Sequence, residues 1–377
     1  MRVASFLVVL LCILPQVSVA QELVSDTVLT MKARVVEVLD SREETVPGTD
    51  LAHTLQTLRV TIVSGEEAGA EIVLENDYLE LEVGDVFYMN HVTSNLDGTD
   101  YYVPIEKDRT VPLITLGVLF IVITIVFGGM QGARGLLALL ASFFFIGILL
   151  SGIMQGYSPV LVSIGVASFI VVIGSYITHG FTRTTSSAVV GMVLTIAFTG
   201  VLAFLAIHFT SLTGYSGDEV TYLNLNTRGA IDLTGLLLGG ILIGLLGVLY
   251  DAAIGQAVSV EELIRAAKHY SRRDVYQRAL RIGREHVGAL VNTLAIAYVG
   301  ASLPLLLLFF GNGPVDLGLT VNRELFATEI VRILVGSIGL ILAVPITTAV
   351  AVFMLHGRSF GPSGEHSHGH SHGNIRA

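Results

Sequence analysis

Seven long apolar stretches follow one another from Val111 onward: approximately Val111–Phe127, Leu136–Met154, Val160–Ile177, Ala188–His208, Ile231–Tyr250, Val287–Phe310 and Ile330–Leu355. A hydrocarbon core demands about 20 apolar residues per helical crossing, and a helix satisfies its own backbone polar groups there. Each stretch is therefore expected to be a transmembrane helix, and residues 111–355 an all-α membrane bundle of about seven spans. Composition agrees: 14% of the 377 residues are charged, where soluble domains carry about 25%.

The first twenty residues have the plan of a signal peptide. Arg2 gives a positive start, Phe6–Leu14 an apolar centre, and Ser18-Val19-Ala20 a small-x-small cleavage site. Cys12, the single cysteine, lies inside that centre and goes with it on cleavage; an uncleaved anchor is the alternative. Either way the next segment is placed outside the cytoplasm.

Residues 21–110 are the one long water-compatible segment, with nineteen acidic residues against six basic ones. Leu58, Val60 and Ile62 alternate with Thr57, Arg59 and Thr61, the period of a half-buried strand. Lys32–Leu39, Glu71–Leu74, Val83–His91 and Thr99–Ile105 also read as strands between turns such as Ser64-Gly65 and Asp97-Gly98. Five short strands suit a small extracytoplasmic β-barrel-like or sandwich domain, OB-like in outline. So acidic a surface excludes nucleic acid as its partner. Asn95, Asp97 and Gly98 have the spacing of a calcium loop, but Thr93 and Pro104 fall at its first and closing ligand positions, so the run is read as a turn.

Loop charges set the orientation. Arg134, Arg183, then Arg265, Lys268, Arg272, Arg273, Arg278, Arg281 and Arg284 fall on one side, with Arg358 and Arg376 in the tail. The opposite loops hold only Arg228 and Arg323. Positive-inside bias places the first set in the cytoplasm and the β domain outside. The cytoplasmic connector, residues 251–286, carries an apolar stripe of Val260, Leu263, Ile264 and Ala267. Such a stripe suits an interfacial helix near anionic headgroups, or else a regulatory partner.

Few side chains inside the spans can carry chemistry. Asp251 ends the fifth span, Arg284, Glu285 and His286 open the sixth, and Asn292 lies within it. Ionisable groups in a membrane are costly enough to be functional candidates. Asp251 is expected to pair with Arg284, a bidentate and permanently charged donor. His286 beside them would be a proton relay or gate; the alternative is a structural ion pair. Asp232, His208, Glu329 and Arg332 mark the outer edge, where capping or snorkelling is the ordinary use. Gly235, Gly239, Gly240, Gly244 and Gly247 give the fifth span a small-residue face for helix packing or for lining a path. Pro304 and Pro345 are expected to kink the last two spans. In the tail, residues 356–377, His366, His368, His370 and His372 alternate along a strand able to hold a transition metal weakly; a low-complexity tail without a role is the other reading. No other cofactor is implied. There is no G-x-S-x-G elbow, H-E-x-x-H helix or Walker loop, so no enzyme is expected.

Two motifs carry a resemblance. GLLGVLYDAAIGQAVSVEEL at 244–263 and RIGREHVGALVNTLAIAYVGASLPLLLLF at 281–309 resemble the bacterial YibE/F-like family of multi-pass membrane proteins. The most similar parts are Asp251 after the glycine-rich helix, Gly283 to His286, Asn292-Thr293 and Gly300 to Pro304. The order of signal, outer β domain and seven spans also fits. The resemblance implies a bacterial inner-membrane protein with its C-terminus in the cytoplasm.

Two functional classes remain open on the sequence. One is a permease moving a small solute or ion through the bundle. The other is a non-transporting anchor or sensor, whose acidic β domain binds an envelope partner or a second copy of the chain. A continuous polar cavity reaching Asn292 favours the first, and a solid bundle the second.

Overall fold

The computed structural model describes residues 26–45, 48, 52–95, 98–311 and 316–357. The signal segment, Asp97 and the four tail histidines lie outside these. The chain divides into two compact units, residues 1–120 and 121–377.

The first unit is built on one antiparallel sheet of β1 (Thr27–Thr45), β2 (Ala52–Ile62), β3 (Glu71–Asn76), β4 (Val86–Thr93) and β5 (Asp100–Lys107), in the order β3-β2-β1-β4-β5. All five expected strands are present. β1 is far longer than expected because it serves two partners, β2 along most of its length and β4 over Thr27–Arg34. Leu58, Val60 and Ile62 do face inward, joining Met31, Ala33, Val35, Leu74, Leu81, Phe87 and Met89 in an apolar core. Irregularities in β1 between Val35 and Glu37 and between Val38 and Asp40 bend the strand, as an unpaired extra residue must. The expected barrel is not closed: β3 and β5 approach one another, but no strand pairing joins them.

A buried amide pair ties down the segment after β3. Asn76 donates to Gln56 Oε1 (2.8 Å), Gln56 donates to the Leu81 carbonyl and Leu81 N–H returns to Gln56 (both 3.0 Å). At the exit from β5, Asp108 accepts from Lys32 Nζ at 2.8 Å and from the Thr110 backbone at 3.0 Å.

The second unit is helical. Its elements are α1 (Thr110–Met154), α2 (Pro159–His179), α3 (Arg183–Phe209), α4 (Asp218–Asn226), α5 (Leu233–Ala266), α6 (Arg272–Ala301), α7 (Leu303–Gly311), α8 (Leu317–Asn322) and α9 (Glu324–Leu355). Among the described residues, α1, α2, α3, α5 and α9 are long and apolar enough to cross a membrane, which makes five candidate spans where seven are expected. Two local facts account for the difference. α1 contains both of the first two expected spans, divided at Gly129, whose φ of 54° and ψ of −139° are not helical. A Cβ on Gly132 would strike the Thr124 carbonyl oxygen. Eight residues of straight helix separate such groups by about 12 Å, so α1 is sharply kinked at Gly129. The sixth expected span is shared between α6 and α7, which meet at Ser302. Pro304 therefore sits in the first turn of α7, where its missing N–H costs nothing. Pro345 lies inside α9, which stays helical around it.

α3 and α9 form the antiparallel centre of the bundle. Gly191, Thr195, Thr199 and Ala203 of α3 are all buried, as are Gly339, Ala343, Thr347 and Ala351 of α9. A Cβ on Gly191 would lie 2.9 Å from the Cα of Thr347, and one on Gly339 would lie 2.8 Å from Cγ2 of Thr199. Lipid supplies no hydrophobic drive between helices, so such close approach must hold them together. α5 packs on both, through Leu238, Ile241, Leu242, Leu245 and Leu249.

Two expected outcomes follow. Gly191→Val should cost about 1–3 kcal/mol through overpacking, whereas Gly247→Ala, with no neighbour within 4 Å of the added methyl, should leave the melting temperature of the purified protein unchanged; equal effects would contradict the spine. In the sheet, the hydrogen bonds from Lys32 and Thr110 hold the Asp108 carboxyl at about 2. A lowered carboxylate pKa stabilises the fold above the ordinary value of about 3.9 and loses that contribution as pH falls through about 2. Carboxyl NMR should place the Asp108 midpoint near pH 2 and Lys32→Met should raise it; an ordinary midpoint in the unaltered chain would contradict the pairing.

Candidate functional site

The sequence points first to the α5–α6 hairpin. α5 and α6 meet through Gln256, whose Nε2 donates to the Ala279 carbonyl at 2.7 Å, and through Gly283, where a Cβ would lie 2.6 Å from Gln256 Oε1. Asp251 and Arg284 each sit one position from a contact residue, Ala252 and Gly283. One residue turns a helix by about 100°, so both side chains leave the interface and are exposed. The expected Asp251–Arg284 ion pair does not form. Glu285 and His286 are exposed as well, with His286 Nδ1 3.1 Å from the Ile282 carbonyl oxygen. Asn292 is exposed on α6 and lines none of the cavities described below.

The connector stripe also finds a different use. Val260 is fully buried with Val275 and Ala279, and Leu263 and Ile264 pack beside them, so it seals a helical hairpin instead of lying on headgroups. A capping box of Ser271 and Asp274 starts α6. Arg265 grips Glu261 through Nη2 (2.6 Å) and Nε (2.9 Å), and Arg278 stacks over the Tyr270 ring.

Among the described residues, three cavities lie against α5. Near its C-terminal end, an open space of about 170 Å³ is lined by His179, Thr182, Thr184, Thr185, Ala257 and Glu261. Thr184 donates to Glu261 at this lip. Near the N-terminal end, about 380 Å³ lies between α2, α3 and α5, with His208 and Asp232 at its rim. Asp232 caps α5 by accepting from Gly235 N at 3.0 Å, the ordinary use expected of an edge carboxylate.

The third cavity, about 320 Å³, lies at the same end between α1, α2, α5 and the segment after α3. Its wall is apolar, from Leu149, Ile153, Leu236, Leu237 and Ile243, and open backbone comes from Gly239 and Gly240. Into it reach Ser163, 1% exposed with no partner for Oγ, and Arg332, whose Nε is buried without a partner. Glu329 takes Nη1 of Arg332 at 2.9 Å, and the guanidinium lies 5.8 Å from the centre of the Tyr298 ring. Tyr298 Oη is buried and unpartnered too. Arg332 and Glu329 were legible as edge charges. Ser163 was not; its one trace is the four-residue step Pro159, Ser163, Ala167, which repeats the step of Gly235 and Gly239 against which it packs.

A carboxylate fastens the roof of this cavity. Glu324, at the start of α9, accepts from the backbone N–H groups of Thr213 (2.7 Å), Gly214 (2.7 Å) and Tyr215 (3.1 Å) and from the Thr213 hydroxyl. Gly214 has φ of 91°, and a Cβ there would lie 2.6 Å from the Leu233 carbonyl carbon, so only glycine fits the turn.

The family model of YibE/F-like proteins matches residues 116–357. The chain belongs to the YibE/F-like family. The match covers α2 to α9 entirely, and with them all three cavities, but not the sheet. No match was found among curated proteins or among solved structures. Among the described residues of this YibE/F-like protein, no three His, Cys, Asp or Glu side chains are placed to share a metal ion.

Replacing Glu324 by Ala removes the acceptor of three backbone N–H groups, at about 1.5–3 kcal/mol for bonds to a charged partner. Hydrogen exchange of the purified protein should show faster exchange confined to 213–220. Unchanged exchange there would contradict the clasp.

Proposed function

We propose that the protein is a permease-like carrier of a small solute in the bacterial inner membrane. The observation that supports this most is the placement of cavities at the two ends of one helix seam. The 380 Å³ and 170 Å³ spaces both lie among α2, α3 and α5. Between them Met192, Ile196, Leu242, Leu245 and Leu249 close the seam. Leu238 at one cavity and Ile254 at the other are sixteen residues apart on α5, about 24 Å of helix. Sites closed from each other by a packed middle are what alternating access requires. None of the three cavities reaches Asn292, the feature expected of a transport path, so the support for the proposal comes from the paired cavities alone.

The break at Gly129 and the combined length of α6 and α7 support seven crossings. Loop charge supports an outer β domain and a cytoplasmic connector. A periplasm-active reporter fused after Thr110 or within 212–227 should then be active, and one fused near Arg273 inactive; activity near Arg273 overturns the topology.

Transport itself is tested by comparing solute depletion from defined medium by deletion and overexpression strains. The permease reading expects at least one small solute to be taken up in proportion to expression. Equal depletion of all solutes at confirmed membrane abundance favours an anchor or sensor.

A further inference from the structure

We propose that the 320 Å³ cavity is a binding site for a small organic carboxylate with an apolar body, held by Arg332 and Ser163. The inference deepens the permease reading and rests on it for the ligand's fate as cargo. The cavity lies at the low end of the roughly 300–1,000 Å³ typical of small-molecule sites. Its chemistry is unbalanced in one direction. Of the groups that line it, Arg332 Nε and Ser163 Oγ are buried without partners. Guanidinium nitrogen only donates, and the serine hydroxyl is able to donate, whereas an ionised carboxylate only accepts. Two orphaned donors in one cavity are completed by an acceptor-rich anion and not by an ammonium group.

Glu329 does not already fill this role. It occupies Nη1, one of the five N–H positions of a guanidinium. It orients the fork and leaves Nε uncovered. The rest of the wall comes from Leu149, Ile153, Leu236, Leu237 and Ile243, which offers an apolar body dispersion contacts and offers a polyol or a second charge nothing. Gly240 lines the cavity with no atom within 4 Å of an added Cβ, so a larger side chain there would fill ligand space without striking the bundle.

Thermal-shift and calorimetric titration of the purified full chain in nanodiscs tests the proposal, with benzoate as probe and benzyl alcohol and benzylamine as controls of similar shape. Benzoate should raise the melting temperature saturably, and the controls should not. Ser163→Ala should weaken benzoate binding roughly threefold to tenfold, and Arg332→Lys roughly tenfold or more. Gly240→Leu should abolish binding with the melting temperature of the free protein retained. Where Arg332→Lys lowers abundance, the paired Glu329→Gln, Arg332→Gln variant removes the cation without leaving a lone buried charge, and it should bind no benzoate. Equal shifts from benzoate and benzyl alcohol, no benzoate shift, or a benzoate shift that survives Gly240→Leu overturns the site. Proteoliposome uptake separates the two readings. Benzoate binding without uptake sinks the permease and keeps the site, whereas uptake of another solute untouched by Gly240→Leu keeps the permease and sinks the site.

Discussion

The close antiparallel contact between α3 and α9 is the constraint on which the rest of the helical unit depends. In water, two apolar helices would be driven together by burial. In lipid that drive is absent, and attraction comes from backbone proximity and dense packing. Gly191 opposite Thr347 and Thr199 opposite Gly339 place a small residue on each side in turn. The surface so formed is narrow, and α5 covers it with large aliphatic side chains such as Ile241, Leu242 and Leu245. The three cavities described lie toward the two ends of α5, on either side of this packed middle.

The two ends differ in how their polar groups are satisfied. At the C-terminal end of α5, Glu261 is shared by Thr184 and Arg265. At the N-terminal end, Arg332, Ser163 and Tyr298 keep unpartnered donors, although buried polar groups are nearly always paired. The Glu324 clasp over 213–215 lies at that end as well.

Periodicity made much of this legible. The alternation of Leu58, Val60 and Ile62 gave the inner face of β2, and the apolar run Val160–Ile177 foretold α2 (Pro159–His179) closely. Gly235, Gly239 and Gly244 do pack helices, against Pro159, Ser163 and Tyr298 respectively. The rest depends on rotation and partner choice, which composition does not encode. Asp251 and Arg284 were expected at helix ends, but α5 and α6 run on past them, and each is one residue off the contact face that Gln256 and Gly283 occupy. Ser163 is an unremarkable serine until α5 presents Gly239 to it. The open edge between β3 and β5 is likewise a property of strand pairing, and each strand alone reads the same in an open or a closed sheet.

The spine itself is open to direct measurement by disulfide trapping in membranes, with Cys12 replaced by Ser. A Cβ at position 339 would lie 3.2 Å from Cβ of Thr199, a few tenths of an ångström inside the roughly 3.5–4.5 Å spanned by a disulfide. The pair Thr199→Cys and Gly339→Cys should therefore oxidise readily to an intramolecular bridge. The pair Gly191→Cys and Gly339→Cys, displaced by eight residues or about 12 Å, should not. Trapping of the displaced pair, or failure of the first pair at normal abundance, would contradict the antiparallel register on which the account rests.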